Sequence, residues 1–351
     1  MFKNFDWLIF LYIVFIFSLG LIILYSVAPE QVSHQLIYFG LGLFFFFLFS
    51  NIDYRIFQSF HYVFYIFSIF SLLLTFFLGR LTRGTLRWIS IGPFTLQPSE
   101  LVKPFLILSF SGLVFRKDLS KIKNLLLFLL LFLPLGFLIF FQPSLGSTLV
   151  AFVIWLSIVF TAGIRPSSFL IAIFSGGLLL PIGWRALADY QKNRIIAFLN
   201  PQADPLGSGY HLIQSKITVG SGQIFGKGLG QGTQSHLKFL PEFQSDFIFS
   251  ALAEELGLIG SFILILCCFL LFWRILKIAG NSRDKFGRLI AIGVFSMLFF
   301  QSFVNIGMNI GLVPIAGITL PLVSSGGSSL VATLVSLGLI ESIARVEKKE
   351  F

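Results

Sequence analysis

The chain has 351 residues, 56% of them hydrophobic and 11% charged, with a mean hydropathy of +0.92. Soluble globular domains carry about 25% charged residues, so a water-soluble domain is excluded and an all-α polytopic membrane protein is expected. The net charge of +10 falls in short connections between apolar runs, which points to an anionic membrane surface and to no nucleic acid.

Uncharged windows of about 20 residues per crossing predict ten helices in one transmembrane domain, 1–351. They lie near 7–26, 35–51, 59–79, 98–115, 124–141, 146–163, 167–184, 247–273, 287–310 and 321–343. The first, uncharged from Trp7 to Ser26, is long enough to remain as a spanning helix. Cys267 and Cys268 stand side by side in an apolar run and read as small packing residues, leaving no disulfide framework. The 46 phenylalanines read as lipid-facing substitutes for leucine.

With the N-terminus inside, 15 of the 25 Lys and Arg residues, from Lys3 and Arg55 to Lys348 and Lys349, fall on one side. The opposite short connections hold only Arg80, Arg83 and Arg87, so both termini are expected in the cytoplasm. Two segments on the other side break the pattern of short loops. One is GRLTRGTLRWISIGPFTLQPSE, Gly79 to Glu100; the other is a large extracytoplasmic loop, 185–245, between the seventh and eighth helices. A loop of that length in a compact protein is functional or disordered, and its alternation of apolar and polar residues favours order.

Four stretches carry candidate chemistry. In QPSELVKPF, Pro98 suits a first helical turn, Ser99 and Glu100 serve its free N–H groups, and Lys103 shares a face with Glu100. Buried ions of this kind line polar cavities or tie helices together. QPSLGSTLV, from Gln142, reads as a turn with Pro143 and Gly146 as breakers. The large loop places Gly220, Gly222, Gly226, Gly228, Gly230 and Gly232 among Arg194, Lys216, Lys227 and Lys238. That composition suits either tight folding or the approach of backbone and cations to a pyrophosphate, although no Walker A spacing occurs. Then comes LPEFQSDFIFSALAEELGLIG, with Asp246 at the mouth of the eighth helix. Glu254 and Glu255 follow about 12 Å further along it, inside the membrane, as structural or cavity-lining groups paired with a buried base. Finally, NIGMNIGLVPIAGITLPLVSSGGSSL interrupts two helices. Non-helical backbone at membrane depth needs cover from protein or a wet cavity. A polar vestibule is therefore expected, with Ser324, Ser325, Ser328 and Ser329 as donors or as helix caps.

The stretches GTLRWISIGPFTLQPSELVK, GKGLGQGTQSHLKFLPEFQSDFIFSALAEELG and NIGMNIGLVPIAGITLPLVSSGGSSL, in this order, resemble the SEDS family of bacterial cell-wall proteins (RodA, FtsW and SpoVE) over essentially the whole chain. GTQSHLKFLPE and LAEELG look most like RodA, whereas NIGMNIGLVP is closer to FtsW and SpoVE usage. The resemblance implies a peptidoglycan glycosyltransferase in the bacterial cytoplasmic membrane. Such an enzyme polymerises lipid II at the outer face during elongation, with a class B penicillin-binding protein transpeptidase and other elongation-complex membrane proteins as partners.

The family's essential aspartate maps onto Asp246, its embedded Glu and Lys onto Glu100 and Lys103, and its arginine before tryptophan onto Arg87. The chain departs from the family pattern at Ser144, where QPDLG is usual, at Gln244 of the usual HTD, and at Ser325, where a tyrosine is usual. An inverting displacement is expected, with Asp246 as general base. Arg87, Lys103, Arg194 and a divalent cation (Mg²⁺ or Mn²⁺) would meet the pyrophosphate, and Glu100, Lys216, Ser324 and Ser325 would complete the substrate site. A lipid II flippase would need the same cavity, and a scaffold for the transpeptidase is a third possibility.

Overall fold

The computed structural model describes residues 4–82, 85–91, 94–115, 117–119, 121–142, 144–164, 184–185, 187–237, 239–240 and 242–349. The helices are α1 (Trp7–Val27), α2 (Val32–Asn51), α3 (His61–Leu78), α4 (Pro98–Phe115), α5 (Ile122–Phe141), α6 (Leu145–Thr161), α7 (Asp189–Leu199), α8 (Tyr210–Ser221), α9 (Thr233–His236), α10 (Ile248–Asn281), α11 (Lys285–Ile310) and α12 (Gly327–Lys349). Among the described residues, eight helical spans are long and apolar enough to cross a membrane, and α6 is a shorter apolar helix. The expected seventh span, near 167–184, lies outside the described residues apart from its last position, as do Arg83, Pro143 and Lys238.

Helices α4 and α12 are buried along most of their lengths and form the centre of the bundle. The close approach of α12 to α2 requires Gly338, since a Cβ there would stand 2.7 Å from the Phe46 carbonyl oxygen. Around them, α1, α2, α3, α5 and α10 turn Phe15, Phe44, Phe70, Phe137 and Phe262 outward, in keeping with a lipid-facing role for phenylalanine. The first outward segment is a small antiparallel sheet, β1 (Arg80–Thr82), β2 (Thr85–Ile91) and β3 (Phe94–Leu96), with Ser90 opposite Thr95.

Two contacts orient the bundle. Asp6, before α1, pairs with Arg274 at the end of α10 and with Lys348 at the end of α12, so the two termini share one face. At the other end of α1, Ser26 donates to Glu255 (2.7 Å) and accepts from the Gly230 N–H (2.9 Å). The large loop therefore sits on the opposite face.

The eighth predicted helix is not continuous. Inside α10, Gly257 has φ 67° and ψ −162°, a conformation essentially confined to glycine. The loop backbone fills the break: Leu258 and Ile259 donate to the carbonyls of Gln223 and Ile224, while Lys227 and Gly228 donate to those of Glu254 and Glu255. Gly222 and Gly226 make that approach possible, since a Cβ on either would lie within about 2 Å of the Ala253 or Glu255 oxygen. These two glycines serve tight folding.

The break also leaves a full crossing length beyond the two glutamates. Leu258 to Asn281 alone rises about 36 Å at 1.5 Å per residue, enough to cross a hydrocarbon core of about 30 Å. Glu254 and Glu255 precede that span and pair with loop residues, Lys227 at 2.9 Å and His236 at 3.0 Å. Two helix ends also move: α10 runs on to Asn281, and α12 begins at Gly327 because the 321–326 segment, with Leu322 at φ 66°, is a turn.

Candidate active site

Asp246 closes a tight turn whose first residue, Glu242, has φ 56°. The Glu242 carbonyl accepts the N–H groups of Ser245 (3.1 Å), Asp246 (3.1 Å) and Phe247 (3.3 Å). The Asp246 carbonyl in turn accepts from two fully buried amides on α11, Asn305 Nδ2 and Asn309 Nδ2, each at 3.0 Å. Asn309 Oδ1 takes the Ser250 N–H at 3.1 Å, and Asn305 reaches across to the Ile318 carbonyl at 2.7 Å. These bonds fix the start of α10, α11 and the 311–326 turn to one another.

The vestibule serines belong to the same clamp. Ser324 Oγ donates to the Ser245 carbonyl (2.6 Å) and accepts the Leu320 N–H (2.8 Å). The Ser325 N–H donates to the Gln244 carbonyl (2.9 Å), and its hydroxyl donates to Gln31 Oε1 (2.5 Å). Here the two serines hold Asp246 in place.

Gly317, at φ 65°, opens the space in front of the carboxylate: a Cβ there would lie 3.6 Å from Asp246 Oδ2 and 3.7 Å from Arg194 Nη1. Arg194, on α7, donates to the Ile315 carbonyl at 3.3 Å and lies over the Tyr190 ring. Arg87, on β2, donates from Nε to the Gln142 carbonyl at 2.8 Å. Burial pushes the Arg87 guanidinium below its ordinary value; Tyr190 and Asp246 act against that shift and Arg194 adds to it. Two guanidiniums, a phenol and a carboxylate, contributed by three separate segments, thus share one electrostatic neighbourhood. Cations placed this way suit a polyanionic leaving group.

The sequence profile of the FtsW, RodA and SpoVE family, described as cell cycle proteins, matches residues 2–349. The chain belongs to this family. It is 41% identical over 272 residues to the peptidoglycan glycosyltransferase MrdB of Escherichia coli (strain K12), covering 76% of this chain and 72% of that relative. It is 35% identical to the stage V sporulation protein E of Bacillus subtilis (strain 168), over 98% of each chain. Among solved structures, a chain from a study of polymerization and crosslinking by a peptidoglycan synthase complex superposes with TM-score 0.86 at 32% identity, over 98% of both chains. The rod shape determining protein RodA of Thermus thermophilus gives TM-score 0.73 at 29% identity, over 97% of both.

In this family member the Glu100–Lys103 pair is buried on α4, with Lys103 Nζ 2.5 Å from Glu100 Oε1. Ser144 donates to Ser147 (2.8 Å), which reaches Glu100 at 3.4 Å, so the serine that replaces the usual aspartate still joins the glutamate's network. Gln142, whose carbonyl accepts from Arg87, donates from its own amide to the Leu72 carbonyl at 3.0 Å. Buried Glu100 Oε2, Ser99 Oγ and Gln142 Oε1 have no hydrogen-bond partner among the described residues. Unsatisfied buried polar atoms are rare in purely structural pairs, so these favour a polar cavity. Lys216 stands apart: its stem crosses Gly311 at the end of α11, and no contact among the described residues joins it to Asp246, Arg87 or Arg194.

Asn305, Asn309, Tyr190 and Gly317 were not among the expected site residues. Gln301, Asn305 and Asn309 recur every four residues on one face of an otherwise apolar helix, and intramembrane polar residues mark functional surfaces. His211 on α8 is a further addition, its ring 6.4 Å from that of Phe247.

Burial, and after it Arg194, hold the His211 imidazole below the ordinary 6.5. The folded protein then resists protonation there, so the stabilisation is complete above pH 6.5 and is lost as pH falls from 6.5 through the lower folded value. Thermal unfolding in detergent at about pH 7.5 and about pH 5.5 should show a smaller acid-induced drop in His211→Gln than in the wild type.

Proposed function

We propose that this chain polymerises lipid II into glycan strands, as a peptidoglycan glycosyltransferase of cell elongation and shape maintenance. It works at the outer face of the bacterial cytoplasmic membrane, with both termini in the cytoplasm. The observation that carries this reading is the placement of Asp246 Oδ2 and Arg194 Nη1 around Gly317, with Arg87 alongside. A base for a sugar hydroxyl thereby stands next to cations for a departing pyrophosphate.

The attacking hydroxyl gives its proton to Asp246 as its oxygen bonds to the anomeric carbon. The bond from that carbon to the lipid pyrophosphate breaks, and the leaving group takes the electron pair beside Arg87 and Arg194. Holding both substrates in line removes much of the barrier that free encounter imposes, and the clamp formed by Asn305, Asn309, Ser324 and Ser325 fixes the backbone that carries the carboxylate. Glu100 and Lys103 line the polar cavity behind it, and Lys216, midway along α8, meets a part of the substrate remote from Asp246.

No group of three or more His, Cys, Asp or Glu that could hold a metal occurs among the described residues. A Mg²⁺ or Mn²⁺ would take its oxygens chiefly from the substrate's own pyrophosphate and from water, because a carboxylate committed to the ion could not also accept the hydroxyl proton. Such an ion would supply further positive charge to the pyrophosphate.

The similar chain from a peptidoglycan synthase complex supports partnership with a class B penicillin-binding protein and other membrane proteins of the elongation complex.

Incubating the purified chain with lipid II in detergent, where no second compartment exists, should yield long glycan. A flippase or a scaffold yields none. EDTA should lower the rate and Mg²⁺ or Mn²⁺ restore it, and an unchanged rate would remove the cation from the mechanism.

A further inference from the structure

The face that carries both termini holds a second polar site. Asp6, Arg274, Lys277, Asn281, Glu347 and Lys348 line a pocket of about 90 Å³ between α1, α10 and α12, roughly the volume of three waters. Its anchors are fixed: Arg274 donates to Asp6 Oδ2 from Nε at 3.0 Å and from Nη2, and Lys348 approaches the same oxygen at 3.6 Å. Glu347 Oε1 accepts from Ser282 Oγ and the Arg283 N–H, each at 3.1 Å.

Two groups remain uncommitted among the described residues. Glu347 is 6% exposed and its Oε2 has no hydrogen-bond partner. Lys277 is exposed and makes no ion pair. The lining therefore carries three cations against two carboxylates, together with one buried acceptor in need of a donor.

Its position identifies the ligand class. Lys277 lies one helical turn beyond Trp273, and Trp7 stands at the same end of α1; both tryptophans are exposed, as are Leu8, Leu11 and Phe269. Exposed tryptophans followed by lysine mark the boundary where lipid headgroups sit, and basic pockets between helices at that level hold lipid phosphates. We propose that this pocket binds the headgroup of a membrane glycerophospholipid. Lys277 and Lys348 take the phosphate, a headgroup hydroxyl or ammonium donates to Glu347 Oε2, and the acyl chains lie along the exposed faces of α1 and α10.

Native mass spectrometry of the purified full chain, titrated with phosphatidylglycerol, phosphatidylethanolamine or phosphatidylcholine, tests this. The wild type should retain phosphatidylglycerol or phosphatidylethanolamine over phosphatidylcholine, whose quaternary ammonium cannot donate, and the leading lipid identifies the donor. The exposed pair Lys277→Gln with Lys348→Gln should weaken that retention about thirtyfold and leave polymerase activity unchanged, since both lie at the face opposite Asp246. Equal retention by wild type and variant, or phosphatidylcholine held as tightly as the others, would overturn the proposal. So would displacement of the lipid by millimolar inorganic phosphate, which would mark a site for soluble anions.

Discussion

Purified Asp246→Asn should still bind lipid II and should polymerise it about 10² to 10⁴ times more slowly than the wild type, the span expected for loss of a positioned general base. The substitution keeps side-chain volume, and the bonds that fix the segment use the Asp246 carbonyl and N–H, which asparagine retains. What disappears is the negative charge that accepts the proton. Arg87 and Arg194 remain to hold the pyrophosphate, so affinity for lipid II should change little. Initial rates of glycan formation, read beside lipid II binding and thermal unfolding of the same preparation, separate the outcomes. A wild-type rate would remove Asp246 from the chemistry, and a collapsed unfolding temperature would show damage to the fold instead.

Gly257→Ala should destabilise the protein by about 3 kcal/mol or more. Forcing a side-chain-bearing residue into this region of backbone space costs about 1–3 kcal/mol, and the new Cβ would stand 2.3 Å from the Gly226 nitrogen and 2.5 Å from the Ile224 oxygen. Relieving that overlap separates the loop from the helix break and disrupts backbone bonds of about 0.5–1.5 kcal/mol each. It also moves Lys227 and His236 away from Glu254 and Glu255. Gly220→Ala is the control, because a Cβ there meets nothing within 4 Å; its effect should stay within about 0.5 kcal/mol. Thermal unfolding in detergent measures both, and a Gly257→Ala protein as stable as the wild type would show that the break is not required.

The membrane-spanning helices were legible because their signal is local: an uncharged run of sufficient length is visible in one window, and the basic connections between runs supply an orientation. Asp246 and Arg87 were singled out by extended motifs, and the fold brings them into one electrostatic neighbourhood. The break at Gly257 was not legible, because LAEELGLIG reads as an uninterrupted helix and the backbone that fills the gap comes from Gln223 to Gly228. The pairing of Glu254 with Lys227 and of Glu255 with His236 depends on the same break.

The junction of Asp246, Arg194 and Gly317 joins three distant points of the chain, and no spacing rule connects them. Two signals were present but unread. Asn305 and Asn309, one turn apart in an apolar helix, announce a buried polar seam. The β-prone runs on either side of Gly92-Pro93 announce a hairpin, which is the sheet that carries Arg87.

A single carboxylate at the reacting centre requires direct displacement. The anomeric configuration of the linkage that purified wild-type protein forms from lipid II, determined by NMR of the glycan, should therefore be inverted relative to the lipid-linked donor. Retention would demand a second carboxylate as nucleophile, and with Glu254 held by Lys227 and Glu255 by His236, that result would contradict a mechanism in which Asp246 acts alone.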